Sequence, residues 1–293
     1  MRLDREVYQD TSYSAFINEH FISIKVNGQE GDGKKYKEKF KVRGYPTVLF
    51  FQTDGMEIDR VCGYDGNKAA FYQTMVDYVN GKNTLSDFLT RLATIPHDVK
   101  ANYRVARRYT DRWELEDAQP YFKRILELDP QDTHGYNEES RGYIAVNHLN
   151  ITGDDQPMID LLNLSDNKIY LKQGYDVLIR HYRRKEMPDK LLWVYEQAVS
   201  RLPENADFMN AYVWHIYEQK LTDRYDRGLE LARKAVQIKP EAAYIWDTLA
   251  WLEYEKGLID QAMTHMKKAV ELAPGQEGYQ KNLKKLEEAI KSQ

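Results

Sequence analysis

One cysteine, Cys62, stands alone in 293 residues, which excludes an intrachain disulfide framework and any cysteine-rich zinc site. No run approaches the ~18 consecutive apolar residues of a membrane span, so the chain is expected to be soluble and to cross no bilayer. A dominant charge is also missing: 46 acidic and 42 basic residues leave a net charge of −4. Without a basic excess, nucleic-acid binding is not expected. The seven histidines (His20, His97, His134, His148, His181, His215 and His265) are scattered singly. They share no ligand spacing, and neither a metal site nor a cofactor is expected. No Ser/His/Asp arrangement is legible, and the stretch from Gly28 to Gly33 lacks the Lys-Ser/Thr that would make it a phosphate loop. Glycine (16) and proline (9) are few while tyrosine (22) is abundant, a balance that suits a Tyr-rich helical chain. The length leaves room for two domains, each with a core.

The first eighty residues mix helix and strand. Asp10 or Ser12 is placed to cap a helix with Tyr13, Phe16 and Ile17 on its apolar side, ending near His20. Residues 21–26 alternate, with Ile22, Ile24 and Val26 on one face, and predict a strand. After the polar turn of Gly28 to Gly33, residues 34–41 read as a short basic helix with Tyr36 and Phe40 four apart. Pro46 then opens an apolar run, residues 47–51, expected to be a strand covered on both faces. Asp54-Gly55 turns the chain into a second strand, residues 57–62. Cys62 shares strand parity with Ile58 and is expected to be a small buried residue. Asn67 caps a last helix with Phe71 or Tyr72, then Met75, Val76 and Val79 inward, and Gly81 at its end.

The segment Val42-Arg43-Gly44-Tyr45-Pro46-Thr47-Val48-Leu49-Phe50-Phe51, followed by Thr53-Asp54-Gly55 and Arg60-Val61-Cys62-Gly63-Tyr64, resembles the thioredoxin-like family over roughly residues 1–81. The resemblance implies a cis Pro46 facing a Cys-x-x-Cys. It also implies a further strand between those matching residues 22–26 and 47–51. This sequence holds neither the cysteine pair nor that strand. Tyr45, Pro46 and Thr47 are then expected to bind an extended substrate segment; a proline that only shapes the strand entrance is the other reading. Two accounts of the missing strand stay open. The chain is shortened at its N-terminus, with Met1 to Asp10 continuing a helix begun at the absent cysteines, or it is a degenerate module whose flanking strands pair directly. Loss of a central strand leaves unpaired apolar edges, which favours aggregation or a rearranged sheet.

From Val99 onward the sequence repeats, and Pro240 and Pro274 lie one period of 34 apart. Residues 243–276 carry Trp246, Leu249, Ala250, Gly257, Ala262, Met266, Ala269 and Pro274. Residues 99–132 carry Ala106, Tyr109, Ala118, Phe122 and Pro130, and residues 172–205 carry Tyr175, Leu178, Tyr182, Tyr195, Ala198 and Pro203. These patterns resemble tetratricopeptide (TPR) repeats, in which small residues let two helices approach and aromatics fill the gap to the next pair. The spacing leaves room for a degenerate unit across residues 135–164 and places a three-residue insertion at Leu221–Arg224. The expected fold class is α+β then all-α. It comprises a partial thioredoxin-like fold over residues 1–81, a linker helix over 82–98, about five TPR-type helix pairs over 99–276 forming an α-solenoid, and a capping helix over 277–293.

The repeat phase turns parts of each first helix toward an inner groove. Tyr103, Arg107, Arg180, Arg183, Arg184, Trp251 and Tyr254 are candidates there to hold an extended, partly acidic protein or peptide partner. Ordinary solvated charge, with Trp251 packed under the capping helix, is the alternative. The Lys/Asn clamp of some TPR cochaperones is not matched, since Tyr103, Arg107, Asp247 and Trp251 hold its slots. The resemblance implies a thioredoxin-family protein of a thiol–disulfide exchange system with a TPR protein-binding module. Such a chain is redox-inactive as it stands, with oxidoreductase activity reserved for a longer form. The other function class is a non-enzymatic TPR scaffold with a degenerate thioredoxin-like cap. Analogy also suggests a bacterial protein, envelope-located in full-length form, although no signal peptide is seen before Leu3.

Overall fold

The computed structural model describes residues 2–291; the helix start expected at Met1 and the last two residues of the capping segment lie outside them. The chain divides into two compact units, Met1–Leu161 and Leu162–Gln293. The architecture is α+β followed by all-α.

The first unit opens on a π-helical turn, Asp4–Tyr8, with Val7 buried. Helix α1 (Thr11–His20) starts at Asp10, whose carboxylate accepts from the Ser12 N–H, filling one of the donors that a first helical turn leaves open. Helix α2 (Gly33–Lys39) begins at a residue with no room for a side chain, since a Cβ on Gly33 would fall 1.9 Å from the Asn27 carbonyl oxygen. Strands β1 (Thr47–Phe51) and β2 (Glu57–Cys62) pair antiparallel around Gly55, which takes φ +87°. Helix α3 (Lys68–Val79) is capped by Asn67. Phe71, Met75 and Tyr78 turn its inner stripe toward Leu3, Val7, Ile17 and Phe50, forming one apolar core. The stripe takes in Tyr78 where Val79 was expected, and Val79 is exposed.

The strand expected over residues 21–26 does not form. Among the described residues the sheet holds two strands, β1 and β2, and residues 21–27 pair with neither. Ile22 and Ile24 are 95% and 82% exposed. Phe21 instead turns inward, its ring centroid 5.6 Å from that of Phe50. Alternation states which side chains share a face, but the ladder needs a neighbouring backbone to supply hydrogen bonds. β1 finds that neighbour in β2, so direct pairing of the two flanking segments is absent too. β1 is covered on one face rather than two: Phe50 is buried, whereas Phe51 is exposed beside Phe40.

Four helices complete the first unit: α4 (Leu85–Thr94), α5 (Val99–Asp111), α6 (Leu115–Leu128) and α7 (Asn137–Thr152). Each packs on the next, and Phe122 is fully buried with Tyr143 stacked on it at 4.9 Å. The tie from these helices to the hairpin is ionic. Asp59 of β2 is fully buried. Its carboxylate accepts from Arg112 Nη2 at 2.8 Å and from the Leu85 N–H at 3.0 Å, and Arg108 Nε lies 2.9 Å away. Arg60 beside it is held by Glu57 and by the Phe40 carbonyl. A buried carboxylate is tolerated only when its lone pairs are filled, and filling these brings β2, the start of α4 and the end of α5 together.

Helix α8 (Gln156–Leu164) leads into the second unit. There follow α9 (Lys168–Arg184), α10 (Pro188–Arg201), α11 (Ala206–Glu218), α12 (Tyr225–Ile238), α13 (Ala243–Glu255), α14 (Ile259–Leu272) and α15 (Glu277–Lys291), each from α9 packing on its successor. A 3₁₀ turn, Thr222–Arg224, falls at the expected insertion between α11 and α12. Buried Ala198, Ala235, Ala250, Ala262 and Ala269 let the helices close up. At Gly228 a Cβ would lie 2.6 Å from Leu252 Cδ2, so the Leu252 side chain of α13 packs directly on the α12 backbone.

Asp59→Ala removes the nearer of the two carboxylates at buried Arg112, leaving Glu57 at 3.4 Å, and takes the acceptor from the Leu85 N–H; it is expected to destabilise the first unit by about 3 kcal/mol. Ile24→Ser, at an exposed position, is expected to stay within about 0.5 kcal/mol. Urea unfolding midpoints check both, and an unshifted Asp59→Ala midpoint would refute the ionic tie. The Asp10 carboxyl is held down at about 2 by the Ser12 hydroxyl, Lys68 and the Ser12 N–H. Its folded value lies below the ~3.9 of a free Asp, so the cap contributes fully above pH ~4 and is lost as pH falls through that window. A pH series on Asp10→Asn should show that loss removed.

Candidate functional site

Tyr45, Pro46 and Thr47 stand at the entrance to β1, and the Tyr45–Pro46 peptide is cis. The Pro46 carbonyl accepts from the Gly63 N–H at 2.8 Å, extending the ladder one pair beyond Thr47 opposite Cys62. With residue 46 in a hydrogen-bonded pair, alternation directs the Thr47 N–H and C=O away from β2, to the hairpin's open side. Thr47 Oγ1 donates to the Gly44 carbonyl at 2.8 Å and closes the bend before it. Tyr45 is exposed, and its ring lies over Gly28, where a Cβ would fall 2.4 Å from the phenol oxygen. The Gly28 to Gly33 turn therefore also seats Tyr45. Nothing local in the sequence signals that contact, because it joins two loops through the fold.

Cys62 is exposed rather than buried. It ends β2 at the open end of a two-stranded hairpin, where no further strand among the described residues covers it. Its sulfur is nonetheless turned toward the end of α5, with Sγ 3.7 Å from the Asp111 carbonyl oxygen. Burial of the sulfur, and after it the charge of Asp111, push the thiol up from its ordinary value. A raised thiol carries little thiolate at neutral pH and is a weak nucleophile. Among the described residues no group of three or more His, Cys, Asp or Glu side chains is placed to hold a metal ion, and no helix is long and apolar enough to cross a membrane.

Comparison with known proteins gives these parts their families. Residues 1–79 match the thioredoxin-like domain, and residues 243–276 match the tetratricopeptide repeat. The chain carries a thioredoxin-like domain followed by tetratricopeptide repeat sequence. A TPR repeat-containing protein of Pseudomonas aeruginosa is 29% identical over 79 residues, covering 27% of this chain and 13% of that one. The mitochondrial import receptor subunit TOM70 of Homo sapiens is 22% identical over 166 residues, covering 55% of this chain and 26% of that one. The chain thus spans well under half the length of either relative. Among solved structures, YrrB, a TPR protein with an unusual peptide-binding site, is 14% identical at a TM-score of 0.46, covering 67% of this chain and 97% of that one. MamA of Desulfovibrio magneticus is 20% identical at 0.42, covering 61% and 96%.

The groove candidates fall in different surroundings. Tyr103 and Arg107, on α5 of the first unit, are engaged: Tyr103 Oη donates to Glu139 of α7, and Arg107 Nη1 meets the same carboxylate at 2.6 Å. Tyr103 also stacks on Tyr136 at 4.1 Å, and Arg107 lies 5.0 Å above the Tyr143 ring. In the second unit Arg183 donates to Tyr195 Oη at 2.7 Å. Arg180 and Arg184, on the same helix, are exposed and make no ion pair among the described residues. In the tetratricopeptide repeat, Trp251 and Tyr254 come together in an apolar cluster with Leu283, Leu286 and Ile290 of α15. Nearby Asp247 accepts from Asn282 at 2.9 Å, and burial holds its carboxyl above the ordinary range.

One arrangement in the repeat escaped the sequence reading. Glu253 is fully buried on α13 and holds His265 Nδ1 of α14 at 2.6 Å, with Arg233 at 3.6 Å. His265 and Trp246 line a shallow hollow of about 410 Å³. The available signal was a lone carboxylate inside the repeat's apolar stripe.

The Cys62 thiol should react with iodoacetamide along a pH profile whose midpoint lies above the ordinary ~8.5, and Asp111→Asn should move that midpoint down. A wild-type midpoint at or below the free-cysteine value would refute the placement of the sulfur.

Proposed function

We propose that this chain is a protein-binding member of a thiol–disulfide exchange system. The thioredoxin-like domain holds an extended segment against Tyr45, Pro46 and Thr47, and the tetratricopeptide helices hold a protein partner, with Arg180, Arg183 and Arg184 among the contacts. One observation carries the reading: Thr47 presents backbone hydrogen-bonding groups on the open side of the hairpin, beside an exposed Tyr45 seated on Gly28. Extended peptides add to a sheet through such groups. The exposed, unpaired Arg180 and Arg184 suit carboxylates on a partner. A single cysteine with a raised thiol supplies no dithiol–disulfide couple within this chain. Its role here is binding.

In an insulin-reduction assay this chain is expected to match its Cys62→Ser variant; turnover above that variant would overturn the redox-inactive assignment. Tyr45→Ala is expected to weaken an extended uncharged peptide about tenfold, equivalent to ~1.4 kcal/mol, as read by fluorescence anisotropy. Arg180→Glu combined with Arg184→Glu should release an acidic partner peptide from the second unit. Unchanged retention would remove those arginines from the site.

A further inference from the structure

We propose that α2 and the residues after it form a basic docking surface for an acidic stretch of extended polypeptide, continuous with the Tyr45 segment; this rests on the peptide-binding reading of that segment. Residues 34–43 read Lys-Lys-Tyr-Lys-Glu-Lys-Phe-Lys-Val-Arg, six cations and one carboxylate in a chain of net charge −4. Lys34, Lys35, Lys37, Lys39, Lys41 and Arg43 are all exposed. Two of them meet a carboxylate: Lys35 pairs with Asp32 at 2.8 Å, and Lys41 lies 3.9 Å from Glu114. Lys39 rests over the Phe40 ring and Arg43 over the Trp113 ring, at 5.2 and 5.1 Å. Lys34 and Lys37 have neither carboxylate nor ring among the described residues. Four cations therefore carry no opposite charge on or just beyond a helix about 10 Å long. Like charges at these three- and four-residue spacings repel, and an anionic partner relieves the repulsion.

The surroundings select the kind of anion. Phe40 packs near Phe51 at 5.1 Å and is turned to its own domain, while Tyr36, stacked with it at 6.4 Å, stays exposed. Arg43 lies two residues before Tyr45, and the outward-facing backbone begins at Thr47. A polypeptide lying along residues 45–47 passes from main-chain hydrogen bonding onto ammonium groups. Lysine ammoniums act as point charges without the fixed fork of arginine, and they suit carboxylates spaced loosely along a mobile chain.

The test uses the whole chain and two labelled extended peptides of equal length, one with an Asp/Glu-rich end and one with Asn and Gln in those places. Anisotropy at low salt should show the acidic peptide binding about tenfold tighter, with the advantage shrinking as salt screens it. Lys34→Gln with Lys37→Gln should bring the acidic peptide to the affinity of the neutral one and leave the neutral one unchanged. Wild-type affinity of that variant for the acidic peptide would overturn the proposal. So would displacement of the acidic peptide by a single-stranded oligonucleotide or by phosphatidylserine vesicles at lower concentration. If Tyr45→Ala leaves both peptides bound as before, the reading of the Tyr45 segment fails and takes the continuity with it. If the wild-type chain binds the acidic and neutral peptides equally while Tyr45 is still required, the basic surface alone is overturned.

Discussion

A carboxylate with no access to water is what makes the first unit one body. Asp59 leaves β2 and is satisfied by groups from two helices far along the chain, Arg112 and the Leu85 N–H. The apolar core around Phe50, Phe71 and Met75 is small, and a two-stranded hairpin has little stability alone. Docking against α4 and α5 supplies the missing support. The orientation is set by charge geometry, because an apolar contact tolerates sliding whereas a bonded carboxylate does not. Everything placed on the hairpin, Tyr45 and Cys62 included, inherits that orientation.

The parts of this fold legible in the sequence are those decided within a few residues. Asp10 and Asn67 cap the helices they precede, Asp54-Gly55 turns the hairpin, and the buried alanines recur where repeated helices meet. What depends on distant partners was not legible. Residues 21–26 have the alternation of a strand, yet among the described residues they join no ladder. Cys62 has inward parity, but parity buries a residue only if another layer lies over it. The inner stripe of α3 includes Tyr78 because that phenol reaches the Arg60 carbonyl at 3.4 Å as well as the core.

The candidate site divides the same way. Tyr45, Pro46 and Thr47 were found from their own motif, whereas the seat that Gly28 provides was not. Helical phase identified Arg107 and Trp251 as members of one face. It could not say that Glu139 meets the first; for the second it left a groove position and packing under the capping helix side by side, and α15 packs there. Periodicity names faces; neighbours are named by the fold. The second unit's Arg180 and Arg184 differ in having no such neighbour, and a surface charge left unanswered is more readily available to a partner than one already spoken for.

The position of Cys62 has a practical consequence. As the sole thiol of the chain, it sits where the end of β2 meets the end of α5, against Asp111. A spectroscopic label attached there reports on one place without any engineered background. It would lie at the seam between hairpin and helices, so separation of the two would show first as a gain in the label's mobility, before either part lost its secondary structure.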